Sequence, residues 1–92
     1  MKTAIVTGAS KGVGKATVKL LEANNYKVIA LSRNINAMKD LISDNVEINQ
    51  VDITNEDQIK SFYSKYKDIA IDLLVNNAGG GSGPTHIISH HK

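Results

Sequence analysis

A turn rich in glycine lies near the start of the chain and reads Thr7-Gly8-Ala9-Ser10-Lys11-Gly12-Val13-Gly14. The segment before it, Thr3–Val6, is a short apolar run of the kind found in buried strands. From Val13 onward, apolar residues recur at helical spacing. Glycine is required where the backbone turns left-handed or passes close to another group. The run therefore predicts a tight strand-to-helix turn, at which the free N–H groups of the helix face outward.

The remaining chain alternates between strand-like and helix-like patterns. Residues 15–78 contain neither glycine nor proline, which favours uninterrupted elements. The predicted strands are Thr3–Val6, Val28–Leu31, Val46–Ile53 and Leu73–Val75. The predicted apolar helix faces are Val13, Ala16, Thr17, Leu20 and Leu21; then Ile35, Met38, Leu41 and Ile42; then Ile59, Phe62, Tyr63, Tyr66 and Ile69. Lys11, Lys15 and Lys19 are expected on the exposed side of the first helix, and Thr54 with Asp57 predicts a capping box at the third.

This order of elements, β-α-β-α-β-α-β, predicts an α/β fold. Strands that are apolar throughout fit a parallel sheet covered on both faces by helices. Right-handed crossovers then give the strand order 3-2-1-4, which is half of a Rossmann-type sheet.

Composition excludes several classes of protein. A chain of 92 residues forms one small domain, and 41% hydrophobic with 22% charged residues is ordinary for a soluble one. A net charge of +2 is too weak to favour a nucleic acid or a membrane surface as partner. There is no cysteine, and no segment has the pattern of a signal peptide or a spanning helix. We therefore expect a cytoplasmic protein.

The glycine turn favours a dinucleotide as ligand. A pyrophosphate suits the positive end of a helix dipole. Gly8 would make the tight turn, while Gly12 and Gly14 would let the phosphates and the helix approach closely. The same stretch nearly spells an ATP-type phosphate loop, but Ala9 and Ala16 stand where that motif needs Gly and Ser or Thr.

The residue after the second strand indicates which dinucleotide is preferred. Arg33 lies 19 residues beyond Gly14, where an acidic side chain would hold the 2′-hydroxyl of NAD. A guanidinium suits the 2′-phosphate of NADP instead, and Lys11 could add a second cation. We therefore predict NADP(H) as cofactor, in preference to NAD(H).

Three motifs in sequence resemble those of the short-chain dehydrogenase/reductase family, from Lys2 to about Gly79. They are Thr7-Gly8-(x3)-Gly12-x-Gly14, Val51-Asp52-Ile53-Thr54 and Asn76-Asn77-Ala78-Gly79. The resemblance implies oxidoreduction of a carbonyl or alcohol with NADP(H). It also implies further contacts: Asp52 and the Ile53 backbone with adenine, Asn77 and Gly79 with the nicotinamide-side ribose, Asn76 as a brace between strands, and Ser10 and Val13 with ribose and phosphate.

The chain departs from the family where the chemistry should begin. The family's serine and Tyr-x-x-x-Lys pair are expected well beyond Gly79, and this chain continues for only 13 residues. Tyr63–Lys67 does match Tyr-x-x-x-Lys, but Tyr63 belongs to the apolar helix face and is expected in the core. We therefore assign no catalytic residue and expect a truncated cofactor-binding half that is inactive alone.

The predicted division is a cofactor-binding half-domain at 1–79 and a glycine-rich loop with a disordered tail at 80–92. His86, His90 and His91 have no acidic or cysteine neighbour, so no metal site is predicted. Two alternatives remain. One is a stand-alone NADP(H)-binding or sensing module. The other is an assembly fragment that self-associates through an unpaired edge of the fourth strand, Leu73–Val75.

Overall fold

The computed structural model describes residues 1–77 and the backbone of residues 86–89. Its strands are β1 (Lys2–Val6), β2 (Tyr26–Ser32), β3 (Val46–Gln50), β4 (Leu73–Asn76) and β5 (His86–Ser89). Its helices are α1 (Gly12–Ala23), α2 (Glu56–Tyr66) and a 3₁₀-helix at Ile35–Leu41. Neither α1, with 12 residues, nor α2, with 11, has the length of a membrane-spanning helix.

The five strands form one sheet in the order β3-β2-β1-β4-β5. The first four are parallel, with Ile5 aligned to Ile29 on one side and to Leu74 on the other. The predicted order 3-2-1-4 and the α/β class are confirmed. Because β1 to β4 are parallel, their carboxyl ends meet at one edge of the sheet.

Alternating side chains divide the core into two clusters. Ala30 and Val28 of β2 lie in the cluster under α1, which also contains Val18. Ile29 and Leu31 of the same strand lie on the opposite face, with Phe62 and Tyr66 of α2. The central strands β1 and β2 have consecutive buried apolar residues, Ala4–Val6 and Val28–Leu31, because both of their faces carry core side chains, whereas the edge strand β3 is mixed and half-buried.

The predicted inner face of α1 is wrong. Val13 and Leu20 are 62% and 64% exposed, and the buried residues of the helix are Gly14 and Val18. The helix packs through Gly14, which has no side chain and so carries no weight in an apolar pattern. Of the other three predicted residues, Ala16 is also exposed, Thr17 is half-buried, and Leu21 is partly buried against the core.

The second and third helices also differ from the prediction in detail. The second is a 3₁₀-helix that buries Met38 and Leu41, while Ile42 follows it in extended conformation and is exposed. In α2, Phe62 and Tyr66 are buried as predicted, but Tyr63 is 61% exposed. The third strand ends at Gln50, three residues before the predicted end.

The cap of α2 is Asn55 and not Thr54. The Asn55 side chain accepts a hydrogen bond from the Gln58 N–H at 3.1 Å. Thr54 is occupied elsewhere, because its hydroxyl donates to the Asp52 carboxylate at 2.6 Å. The predicted capping box therefore lies one residue too early.

The outer edge of β4 carries β5, which pairs with it antiparallel, with Asn76 opposite His86. The predicted tail at 80–92 thus contains a strand at 86–89, and residues 78–85 and 90–92 lie outside the described residues. Self-association through an unpaired β4 edge loses its basis, because β5 takes the hydrogen bonds that a second chain would need.

On the α2 face, the sheet is only partly covered. A groove of about 560 Å³ lies beside α2 and is lined by apolar side chains that include Ile5, Phe62, Ile71 and Leu74. Tyr63 and Lys67 of α2 line it as well.

Candidate cofactor site

The carboxyl ends of the four parallel strands gather the polar candidates at one edge. Thr7 follows β1, Arg33 follows β2, Asp52 follows β3 by two residues, and Asn77 follows β4. In open parallel sheets the crevice outside these ends is where ligands bind. The fold therefore brings residues from four separate parts of the sequence to one candidate site.

The three glycines of the turn are needed for different reasons. Gly8 and Gly12 have positive φ angles of 62° and 60°, a left-handed conformation that side chains disfavour. Gly14 lies inside α1 and is required by space. A Cβ atom there would lie 2.0 Å from the Gly8 carbonyl oxygen and 2.8 Å from Asn77 Nδ2. The turn is therefore folded directly against the helix and the end of β4.

The N-terminus of α1 has no cap of its own within the described chain. Lys11 occupies the cap position in extended conformation, and its side chain makes no capping hydrogen bond. The first turn holds no acidic residue either. Its N–H groups and the positive end of the helix dipole are therefore suited to an external anion. A dinucleotide pyrophosphate fits this donor set, since the glycines leave the backbone uncovered.

Thr7 connects the ends of β1 and β4. Its hydroxyl donates to Asn76 Oδ1 at 2.9 Å and accepts from the Asn77 N–H at 2.9 Å. Its own N–H donates to the Val75 carbonyl at 3.0 Å. These bonds fix the backbone of Asn77, whose side chain lies against Gly14. Sequence reasoning gave Thr7 no role, although a threonine directly after a buried strand was a usable signal.

Asp52 is held by its own loop. Its Oδ1 accepts from the Thr54 N–H at 2.9 Å and from the Thr54 hydroxyl, and its N–H donates to Gln58 Oε1 at 2.7 Å. The two Thr54 bonds lower the pKa of Asp52, with a smaller contribution from the positive charge of Arg33. Asp52 is thus a charged acceptor at neutral pH, and Ile53 beside it is half-buried.

Arg33 is exposed at the end of β2, in a segment with defined local structure. The Asn34 N–H donates to the Ser32 hydroxyl at 3.1 Å, and the Asn34 side chain accepts from the Ala37 N–H at 3.3 Å. Asn34 thereby starts the 3₁₀-helix directly after Arg33. Lys11 is exposed and Ser10 is half-buried in the glycine turn.

Other predicted residues have no tested role. Gly79, Ala78, His90 and His91 lie outside the described residues, and only the backbone of His86 is described. Tyr63 lies on the exposed side of α2, not in the core as expected, so the reason given against its catalytic role was wrong. Tyr63 also lines the apolar groove beside α2, whose wall includes Thr7, Ile53 and Asn76 at the strand ends.

Lys15 was missed as a structural residue. Its ammonium forms an ion pair with Asp40 at 2.8 Å and donates to the Ala37 carbonyl at 3.4 Å. Lys15 was expected on the exposed side of α1, and it is in fact half-buried. The partners are 22 and 25 residues away in the chain, so no local pattern could indicate the contact.

Comparison with known proteins gives a consistent result. The family model for the short chain dehydrogenases matches residues 2–92. The uncharacterized oxidoreductase YusZ of Bacillus subtilis is 45% identical in an alignment 92 positions long that covers 89% of this chain and 32% of that protein. The NADP-dependent 3-hydroxy acid dehydrogenase YdfG of Salmonella typhi is 37% identical in an alignment 91 positions long that covers 89% of this chain and 36% of that protein.

A solved structure gives the same answer for the fold. The short-chain dehydrogenase of Streptomyces avermitilis superimposes with a TM-score of 0.80 and 33% identity, over 86% of this chain and 32% of that one. The chain thus spans about a third of the length of the relatives that it matches. With a family model matched along almost the whole sequence, the chain belongs to the short-chain dehydrogenase/reductase family, whose members are oxidoreductases that use nicotinamide dinucleotides.

Proposed function

We propose that this chain is the NADP(H)-binding part of a short-chain reductase that transfers hydride between NADP(H) and a carbonyl or alcohol substrate. The observation that carries the proposal is the approach of Gly14 to the Gly8 carbonyl at an α1 N-terminus that lacks a side-chain cap. A turn folded this closely exposes backbone N–H groups to an anion. The cofactor supplies the hydride, and the protein binds and orients it.

The proposed contacts follow the geometry of the edge. Gly8, Gly12 and Gly14 form the pyrophosphate turn, with Ser10, Lys11 and Val13 along its rim. The Asp52 carboxylate accepts a hydrogen bond from the adenine amino group, with the Ile53 backbone beside it, since this carboxylate is charged and fixed beside the strand end. Asn77 and Gly79 contact the ribose on the nicotinamide side, a role supported for Asn77 by its position against Gly14.

The preference for NADP(H) is supported by charge at the end of β2. Arg33 is exposed there, and the positions around it, Ser32 and Asn34, are neutral. A charged hydrogen bond contributes roughly 1.5–3 kcal/mol, so Arg33 favours a 2′-phosphate by about tenfold or more. The relative from Salmonella is NADP-dependent by name.

The whole enzyme requires polypeptide beyond this chain. Its matched relatives are about three times as long, and the Tyr-x-x-x-Lys match in the described part, Tyr63–Lys67, lies at α2, before β4 and not well beyond it, where the family's pair is expected. A right-handed crossover leaving β4 would lie on the α2 face. The apolar groove on that face is suited to such a helix. Alone, the chain is expected to bind cofactor without turnover. A cytoplasmic location belongs to the same proposal, since a protein without cysteine needs no oxidising compartment.

Calorimetric titration of the purified chain with NADPH, NADH and ATP tests the proposal. We expect micromolar binding of NADPH, weaker binding of NADH and no specific binding of ATP. The Gly14→Ala variant serves as a control that removes the turn. Absence of NADPH binding would contradict the proposal, and NADPH oxidation by the chain with a simple ketone would contradict its inactivity.

The pairing of β5 with β4 favours a second candidate, a stand-alone NADP(H)-binding module. This pairing occupies the edge that a further parallel strand would use. Mass spectrometry of the protein from its native cells separates the candidates, because peptides that continue past Lys92 are expected only for the longer enzyme.

A further inference from the structure

Lys15 joins the two segments that the proposed function assigns to the pyrophosphate and to the 2′-phosphate of NADP(H). It belongs to the first turns of α1, next to Gly14 of the pyrophosphate turn. Its ammonium reaches the 3₁₀-helix, where it contacts the Asp40 carboxylate at 2.8 Å and the Ala37 carbonyl at 3.4 Å. One side chain thus bridges α1 and the segment that follows β2.

The 3₁₀-helix is continuous with Arg33. Asn34 caps it, accepting from the Ala37 N–H through both its side chain at 3.3 Å and its carbonyl at 3.2 Å. Lys15 therefore donates a hydrogen bond to the carbonyl of Ala37, the residue whose N–H donates to Asn34. A short helix of this type has little stability of its own, so an external contact has a large share in its position.

The ion pair is partly shielded, and its Asp40 carboxylate is charged at neutral pH. The side chains of Lys15 and Asp40 are 27% and 58% exposed. The hydrogen bond from Lys15 is the main reason that the pKa of Asp40 lies below its ordinary value. With its charge neutralised by Asp40, Lys15 adds little field at the turn, which favours a mechanical role over direct contact with phosphate.

We propose that Lys15 is a positioning residue for cofactor selection, which rests on the proposed function above. By fastening the 3₁₀-helix to α1, it holds Arg33 at a fixed place relative to the glycine turn. A 2′-phosphate and a pyrophosphate on the same molecule can then be bound together. Asp40, as the ion-pair partner of Lys15, has the same positioning role.

The test measures the ratio of the Kd for NADH to the Kd for NADPH in the 92-residue chain. Lys15→Met and Asp40→Asn are each expected to lower this ratio about threefold, the size typical of a partly exposed ion pair. NADH affinity should be nearly unchanged, because it does not use Arg33. The Lys15→Arg variant should retain the ratio. Adenosine 2′,5′-bisphosphate and AMP should show the same pattern, which places the effect at the 2′-phosphate.

Charge alone predicts a different result for Asp40→Asn. Loss of a negative charge would strengthen NADPH binding, whereas loss of positioning weakens it, so the sign of this change separates the two explanations. The matched control is Lys27→Met, which removes a partly exposed ion pair with Glu47 at the opposite end of β2. It should reduce stability similarly without changing the ratio.

Each outcome has a defined meaning. Tighter NADPH binding by Asp40→Asn, or an unchanged ratio in both variants, overturns the positioning role and leaves the proposed function intact. A wild-type chain that binds no NADPH overturns both. If Lys15→Met does not fold, Asp40→Asn decides the matter, since it is isosteric and largely exposed.

Discussion

The helices α1 and α2 begin in opposite ways, although each follows a strand at the same edge of the sheet. The N-terminus of α2 is satisfied by its own sequence: Asn55 accepts from the Gln58 N–H, and Glu56 and Asp57 lie in its first turn. The N-terminus of α1 has neither a side-chain cap nor an acidic residue in its first turn. The N-terminus of α2 is closed by protein groups, whereas that of α1 is open to the proposed ligand.

Stability and function are separated by this difference. A capped helix gains roughly 1 kcal/mol from its own side chain. Leaving α1 without a cap gives up that stabilisation in the free protein and supplies donors for an anion. Substitution of the cap residue should therefore change mainly the free energy of unfolding at α2 and mainly the affinity for NADPH at α1.

Gly14→Ala should have the largest effect at the α1 junction. The new Cβ would lie 2.0 Å from a backbone oxygen, so the turn and the helix must move apart. We expect the free energy of unfolding to fall by about 1–3 kcal/mol, together with loss of NADPH binding. Urea denaturation and calorimetry measure the two effects.

Gly12→Ala is the matched comparison for that change. Space around Gly12 is open within 4 Å, and only its left-handed φ of 60° is strained by a side chain. A cost of about 1 kcal/mol is expected. If both variants lost the same stability, steric contact at Gly14 would not be the cause.

Arg33→Asp tests the electrostatic part of the candidate cofactor site. The change replaces a partner for phosphate with an acceptor for a ribose hydroxyl, so the preference should move toward NADH by about tenfold or more. Competitive titration with both cofactors measures it. Lys60→Glu, at an exposed position of α2, introduces an acid in place of a base away from the strand ends and should leave the preference unchanged.

Asn55→Ala should destabilise the protein by about 1 kcal/mol, because the Gln58 N–H loses its partner. NADPH affinity should stay the same. Lys11→Ala at the equivalent position of α1 should have the reverse profile, with little change in the urea midpoint and weaker NADPH binding. Equal stability losses in the two variants would remove the proposed distinction between the junctions.

The smallest effect concerns pH at the β3–α2 junction. Because hydrogen bonds from Thr54 lower the pKa of Asp52 in the folded state, their contribution is present above the unfolded value, near 3.8, and is lost as the pH falls below it. Thr54→Val should raise the pKa of Asp52. An NMR titration of the Asp52 carboxyl carbon measures this shift, and an unchanged pKa would assign it to other groups.

Much of the fold could be predicted because its signals are local. Short apolar runs located most of the strands, a period of about four residues located the helices, and the handedness of crossovers gave the strand order. Errors arose where a residue lacks an apolar signal or has a misleading one. Gly14 is buried without contributing to any apolar pattern, and Tyr63 is apolar but exposed.

The candidate site was predicted as residue types and not as geometry. Gly8, Gly12 and Arg33 could be assigned because turn chemistry and spacing are read along the chain. The position of Thr7 directly after a buried strand was a usable signal for a role, but its partners Asn76 and Asn77 could not be identified, since they are about 70 residues away. The same holds for Tyr66, which accepts from Asn49 and donates to Glu47 across the gap between α2 and β3.

Local chemistry along the chain thus set which segments become strands and helices, where the backbone must turn left-handed, and which charge follows β2. Packing in three dimensions set which side of α1 is buried, how closely Gly14 approaches Gly8, and the ion pair between Lys15 and Asp40 of the 3₁₀-helix. The physical reason is range: backbone propensity and periodicity act over a few residues. Contacts between distant residues form only when the sheet has brought their strands together.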